Sequence, residues 1–190
     1  MQQQVLLGLG GNIDSAAGPP AQTLRSALAM LEGPGIAAIT TSCLYATPCF
    51  PQGAGPDFVN AAAVLTTTLP AQALLERVQE IEARHGRRRL KRWGQRTLDI
   101  DVLGYGEQVL PDRATFAHWR DMPLARQMAE SPSRLIVPHP RLHERAFVLV
   151  PLNDIAPGWH HPVSRKSVSA MLAALSEQAR AQITPLKEDP

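Results

Sequence analysis

From Thr97 to Leu103 the chain reads Thr97-Leu98-Asp99-Ile100-Asp101-Val102-Leu103, with polar and apolar positions in alternation. That period of two predicts a half-buried strand running to about Tyr105. Asp99 and Asp101 fall on one face, and Leu98, Ile100 and Val102 pack from the other. Elsewhere the pattern is mixed. Residues 4–9 are an apolar run feeding Gly8-Leu9-Gly10-Gly11-Asn12, read as a strand and a glycine turn. A helix follows Pro19-Pro20, with Leu24, Ala27, Leu28 and Leu31 on one face and a stop at Gly33-Pro34-Gly35. Residues 36–45 and 58–67 read as strands separated by a proline- and glycine-rich loop. A second helix starts at Pro70 and runs to about His85, with Leu74, Leu75, Val78 and Ile81 inward and Gly86 at its end.

The second half of the chain is less regular. A hairpin turn at residues 104–107 and a short return strand at 108–110 are expected. Residues 112–133 show weak periodicity and read as an inserted loop with a single helical turn. Leu135-Ile136-Val137-Pro138-His139-Pro140 is expected to be extended, because a residue before proline is pushed out of the helical region. Residues 146–150 read as a further strand. Val168, Met171, Leu172 and Leu175 mark a C-terminal amphipathic helix, and residues 184–190 read as a frayed end. Short connections between mixed elements predict one α+β domain, residues 1–165 carrying the working part and 166–190 its closing helix and tail.

Charge changes the picture locally. Net charge is only +2 over 190 residues, yet seven of the 19 Lys/Arg lie between Arg84 and Arg96, with no acid among them. The remainder carries 12 basic and 17 acidic side chains. A positive field this confined suits a small anionic ligand, whereas a nucleic-acid groove needs a broader basic surface with interleaved aromatics. Cys43 and Cys49 lack C-x-x-C spacing and read as reduced thiols of a cytoplasmic protein. The first residues lack a basic segment and a long apolar core, so no signal peptide is expected. No apolar run approaches a membrane span.

The basic run, Arg87, Arg88, Arg89, Lys91, Arg92 and Arg96, precedes the two acids directly. Two carboxylates side by side repel each other unless a cation sits between them, and oxygen ligands without nearby Cys favour Mg²⁺ over zinc. The arginines would then hold the phosphate oxygens of a triphosphate that the metal leaves free. Taken alone, an acid at every second position is also an ordinary solvated strand face. The adjoining basic run is what favours the metal.

Several segments, in order, carry a resemblance. They are Leu7-Gly8-Leu9-Gly10-Gly11-Asn12, Tyr45-Ala46-Thr47-Pro48, Asp57-Phe58-Val59-Asn60-Ala61-Ala62, Arg92-Trp93-Gly94-Gln95-Arg96-Thr97-Leu98-Asp99-Ile100-Asp101, Val137-Pro138-His139-Pro140-Arg141 and Arg145-Ala146-Phe147-Val148-Leu149. In these the chain closely resembles the 6-hydroxymethyl-7,8-dihydropterin pyrophosphokinase family, up to about Pro162. The resemblance implies a ferredoxin-like α+β fold, an antiparallel or mixed sheet with helices packed on it. It also implies transfer of diphosphate from ATP to the pterin hydroxymethyl group in folate biosynthesis, with release of AMP.

By the same resemblance Asp99 and Asp101 hold two Mg²⁺, and Arg87 and Arg96 act on the transferring phosphates. Arg89, Arg92, Ile100, Arg134, Ile136, His139 and Arg145 would bind ATP. Thr47, Pro48, Phe50, Phe58, Asn60, Trp93 and Phe147 would bind the pterin. The basic loop is one residue shorter than in the relative used for the match, which leaves the choice between Arg88 and Arg89 open. Expected partners are the two small substrates, with no nucleic acid and no membrane, and the chain is expected to be a monomer. The insertion at 112–133 departs from the family pattern and lies next to the expected adenosine side; it is read as a lid, an oligomer contact or a passive surface loop, the last being favoured. His118 and Trp119 are its residues to follow.

Overall fold

Val5, Leu6, Leu7 and Leu9 are all buried, which only a strand covered on both faces achieves. They belong to β1 (Gln3–Gly11), an inner strand of the sheet with a paired strand on either side. The computed structural model describes residues 1–49, 53, 55–87 and 96–187. Along it β1 is followed by α1 (Pro20–Leu31), β2 (Ile36–Thr41), β3 (Tyr45–Thr47), β4 (Phe58–Thr67), α2 (Ala71–Arg84) and β5 (Asp99–Tyr105). Then come α3 (Arg113–Asp121), α4 (Leu124–Ala129), a 3₁₀ turn (Leu142–Glu144), α5 (Ala146–Ile155), α6 (Val168–Ala173), α7 (Glu177–Ala181) and β6 (Thr184–Pro185).

The sheet order is β5-β1-β4-β3-β6, with β2 also paired to β4, and every pairing is antiparallel. β2 and β3 occupy one position, interrupted after Thr41. There Ser42 bridges the gap, its backbone N–H donating to the Ala62 carbonyl and its hydroxyl accepting from the Ala62 N–H. Two βαβ units thus interlock, β1-α1-β2/β3 around β4 and β4-α2-β5 around β1. This is the ferredoxin-like arrangement.

Strand periodicity divides the core in two. Val5, Leu7, Leu9, Ala61, Ala63, Leu65, Ile100 and Val102 face α1 and α2, where Leu24, Ala27, Leu31, Leu74, Val78 and Ile81 meet them. Leu6, Ala62, Val64 and Leu103 face the other way, onto Val148, Leu149 and Leu152 of α5 and Val168 and Met171 of α6. Among the described residues no helix is long and apolar enough to cross a membrane.

Six sequence expectations are corrected. Residues 146–150 are helical, not a strand: a run apolar on both sides has no period to read, and here it is wedged against the sheet as α5. The glycines after Leu7 are no turn; β1 runs through Gly11. The return strand at 108–110 reduces to one bridge, Leu110 with Val137. The insertion is two helices, the first capped by the Asp112 side chain accepting from the Thr115 N–H. The expected C-terminal helix is broken into α6 and α7, each capped by a serine, Ser167 and Ser176. Beyond them the tail is not frayed over its described part, since β6 pairs with β3.

Candidate active site

In an antiparallel sheet, residues directly opposite point to the same side. Tyr45 lies opposite Asn60, Asn60 opposite Gly10, and Gly10 opposite Asp99. One step along, Gly8 is opposite Asp101. Phe58 and Thr47 also face each other across the β3–β4 pair. Asp99, Asp101, Asn60, Phe58 and Thr47 therefore share one sheet face, the face on which α5 packs. Glycine between the acids and Asn60 leaves the floor without side chains. A Cβ at Gly10 would come 2.7 Å from Asn60 Oδ1. The Asn60 amide donates to Thr47 Oγ1 at 2.8 Å, which fixes its orientation. Phe147, in the first turn of α5, is 37% exposed, and the Arg145 guanidinium lies 5.6 Å from its ring centre. Pro48 directly follows β3.

The acids are engaged by arginines. Arg96 pairs with Asp99, and Arg87 bridges Asp99 (2.5 Å) and Glu82. Arg145 is 3.8 Å from Asp101. The sequence reading assigned Arg87 and Arg96 to the transferring phosphates and Arg145 to ATP; in the structure all three lie against the carboxylates. Burial, and then Asp101 beside it, push the Asp99 carboxyl above the usual carboxylate range, while Arg96 and Arg87 pull it back. Burial opposes the charge on Arg87, but Asp99 and Glu82 outweigh it and its pKa rises.

Two positioning residues escaped sequence reasoning. Glu82 lies on the apolar side of α2, 3% exposed, and accepts the Ile100 backbone N–H at 2.7 Å as well as Arg87. It thus ties the start of β5 to the helix. Burial raises its pKa against the pull of Arg87. The available signal was an acid four residues after Val78, on the inward stripe. Asn12 is also buried; its Oδ1 accepts from the Arg96 N–H (2.8 Å) and its amide donates to the Pro56 carbonyl (3.1 Å). Its place at the end of the first family-like segment, Leu7–Asn12, is the signal the sequence offered.

A cavity of about 1200 Å³ opens beside the acids. Asp99, Asp101, Arg87, Arg96, Ile100, Arg134, Ile136, His139 and Arg145 all contribute to its wall. It thus gathers every described residue read as metal-, phosphate- or nucleotide-binding. Thr47, Pro48, Phe58, Asn60 and Phe147 are not in that wall; the first four lie at the β3–β4 end of the sheet and Phe147 in the first turn of α5. Phe50, Arg88, Arg89, Arg92 and Trp93 fall outside the described residues. His139 Nδ1 accepts from the Arg141 N–H (3.1 Å), and burial, helped by Arg145 and Arg141, pushes its pKa down to about 3. The ring is therefore neutral, with its proton on Nε2. Thr97 Oγ1 and Arg141 Nη1, both belonging to cavity-lining residues, are buried without a hydrogen-bond partner among the described residues. Orphaned buried polar atoms of this kind mark a wall built to meet a ligand.

Residues 6–157 match the family model of 7,8-dihydro-6-hydroxymethylpterin-pyrophosphokinase (HPPK). A 2-amino-4-hydroxy-6-hydroxymethyldihydropteridine pyrophosphokinase of Synechocystis is 36% identical over 88% of this chain and 73% of its own. The protein of the same name from Methylorubrum extorquens is 41% identical over 80% of this chain and 81% of its own. Among solved structures, a Plasmodium falciparum HPPK-DHPS chain superposes with a TM-score of 0.63 at 16% identity, covering 91% of this chain. This chain spans only 43% of that longer one, and at such identity the likeness speaks for the fold. With a family match over most of its length and relatives this similar, the chain belongs to the 7,8-dihydro-6-hydroxymethylpterin-pyrophosphokinase family.

Proposed function

We propose that this chain transfers the β,γ-diphosphate of ATP to the hydroxymethyl group of 6-hydroxymethyl-7,8-dihydropterin and releases AMP, a step of folate biosynthesis. The observation that carries this reading is the shared sheet face. Asp99 and Asp101 stand beside a nucleotide-sized cavity, and Asn60 and Phe58 lie two strands away across a glycine floor.

The residues present fit Mg²⁺. Two hard carboxylates share a face, and burial together with Asp101 disfavours negative charge on Asp99, which a further cation would offset once the arginines turn to phosphate. Among the described residues no group of three or more His, Cys, Asp or Glu forms a closed cage. Magnesium held by one or two carboxylates, its shell completed by phosphates and water, requires no such cage. We assign two ions to this pair. Bound there, they would neutralise phosphate charge and favour attack at the β-phosphorus.

The chain's own groups do the rest. Arg87 and Arg96 are poised to exchange Asp99 for phosphate oxygens, which planar guanidinium meets in pairs. Glu82 keeps Arg87 at the site during that exchange, and Asn12 does the same for the Arg96 backbone. Neutral His139 offers Nε2–H to the nucleotide, and Arg134, Ile136, Ile100 and Arg145 complete that side. Asn60 and Thr47 would hydrogen-bond the pterin edge, with Pro48 beside them, while Phe58 and Phe147 cover its faces. Phe50, Trp93, Arg89 and Arg92 keep the roles their motifs suggest. The hydroxymethyl oxygen attacks the β-phosphorus and AMP leaves. With no strong general base marked out among the described residues, alignment and charge stabilisation would supply most of the rate.

The same reading has one domain, with residues 166–190 closing it, acting as a cytoplasmic monomer on small substrates. The test is incubation with the pterin, ATP and Mg²⁺. AMP and the pterin diphosphate are expected in equal amounts. ADP, or no product from folded protein, would overturn the proposal.

A further inference from the structure

Residues 111–136 leave the fold after β5 and return between Leu110 and Val137, which exchange both backbone hydrogen bonds (2.8 and 3.2 Å). An excursion closed at its base in this way need not touch the site. This one is seated against it. Phe116 is 1% exposed, with its ring 5.8 Å from that of His161, and Met122 is buried as well. The Gln127 side chain donates to the carbonyls of Trp119 (2.9 Å) and Met122 (2.8 Å), pinning the turn from α3 into α4. Phe116 and Trp119 are one helical turn apart. The first enters the core, while the second stays half-exposed and joins the cavity wall, with His118 edge-on to its ring at 6.2 Å.

Trp119 is the one Phe, Tyr or Trp among the described residues lining that cavity. Arginines and acids gather around Asp99. Leu75, Val102, Leu135, Ile136 and Trp119 are among its apolar lining residues. A nucleoside triphosphate is divided in the same way, into charged phosphates and a flat base.

We infer that Trp119 is the surface on which the adenine ring of ATP stacks, and that the α3–α4 insertion is a wall of the nucleotide site. The identity of the nucleotide rests on the diphosphate transfer proposed above. Stacking on an aromatic side chain strengthens the binding of a base by about tenfold or more, and it acts on the base alone. Inorganic triphosphate, which has no base, is therefore the control.

The experiment is calorimetric titration of the full chain with Mg-ATP and, separately, magnesium triphosphate. Trp119→Leu is expected to weaken ATP about tenfold and leave triphosphate unchanged, and Trp119→Phe to stay within about threefold of the parent for both. Unchanged ATP affinity in Trp119→Leu would overturn the inference. An equal loss for triphosphate would do so too, since Trp119 would then only shape the wall. If Trp119→Leu does not fold, quenching of tryptophan emission by ATP decides. It is expected in the parent and reduced in Trp119→Phe, and equal quenching in both overturns the inference. AMP release by the parent is scored alongside. A base-dependent effect of Trp119 without AMP would remove the transfer and leave the stacking, and AMP without that effect would do the reverse.

Discussion

Gly11→Ala tests whether the acid pair is held by the end of β1. A Cβ there would lie 2.5 Å from the Thr97 carbonyl oxygen and 3.3 Å from its carbon. That neighbour is backbone and cannot rotate aside, so β1 and the 96–97 segment must part. The parting strains the bonds from the Asn12 and Ile13 N–H groups to the Arg96 carbonyl (2.9 and 3.3 Å) and from the Arg96 N–H to Asn12 (2.8 Å). Overpacking costs about 1–3 kcal/mol and a weakened hydrogen bond about 1 kcal/mol. Stiffening of the unfolded chain returns about 0.4–1 kcal/mol, because Gly11 is not in the left-handed region. The net is about 1–3.5 kcal/mol, or a fall in Tm of roughly 2–14 °C for a domain of this size. Arg96 and Asp99 move with that segment, and a displacement near 1 Å lowers turnover about 100-fold. Gly8→Ala is the control: its Cβ would meet only the end of the Leu103 side chain at 3.3 Å, so about 1 kcal/mol or less is expected. Melting by circular dichroism and AMP release measure both variants. A Gly11→Ala chain that melted with the parent and turned over at its rate would refute the reasoning.

Asp99→Asn and Asp101→Asn should each cut AMP release at least about 100-fold while the chain stays folded by circular dichroism, since neither packs into a core; full turnover in either would remove it from the metal site. Acid should weaken the fold through His161, which is 3% exposed, accepts the Val163 and Ser164 N–H groups on Nδ1, and has its pKa pushed down to about 4, chiefly by burial. Its folded pKa lies below its unfolded value, so its contribution is fully present above about pH 6.5 and is lost as pH falls toward 4. Urea unfolding at pH 5 should show about 2 kcal/mol less stability than at pH 7 from this residue, with His139 acting in the same direction; a flat profile would contradict its buried neutral state.

The order of elements was legible wherever a period existed. α1 and α2 show prolines at their starts and apolar stripes, and β4 and β5 appear at or near their observed bounds. The reading failed where tertiary pairing decides. The segment Ala146-Phe147-Val148-Leu149-Val150 is apolar at every position, so nothing distinguishes helix from strand until the sheet presents a surface for α5. The Gly8–Gly11 stretch looks like a turn because it lacks side chains, yet it lacks them because Asn60 and Thr97 press against it. β6 is two residues long and exists only through its pairing with β3. In the site, the acids were legible from their spacing and the arginines from their crowding. That Arg87 and Arg96 converge on Asp99, with Glu82 and Asn12 behind them, depends on contacts between β5 and the ends of α2 and β1, which no local pattern records.

β5 writes two tasks into alternate letters. Its even positions, Ile100 and Val102, belong to the layer shared with α1 and α2, and its first odd positions, Asp99 and Asp101, to the chemistry on the far side. Neighbours in the gene therefore answer to different selective demands. A change at either acid touches the chemistry and spares the core, whereas a change at Ile100 or Val102 reaches the packing and the cavity wall together.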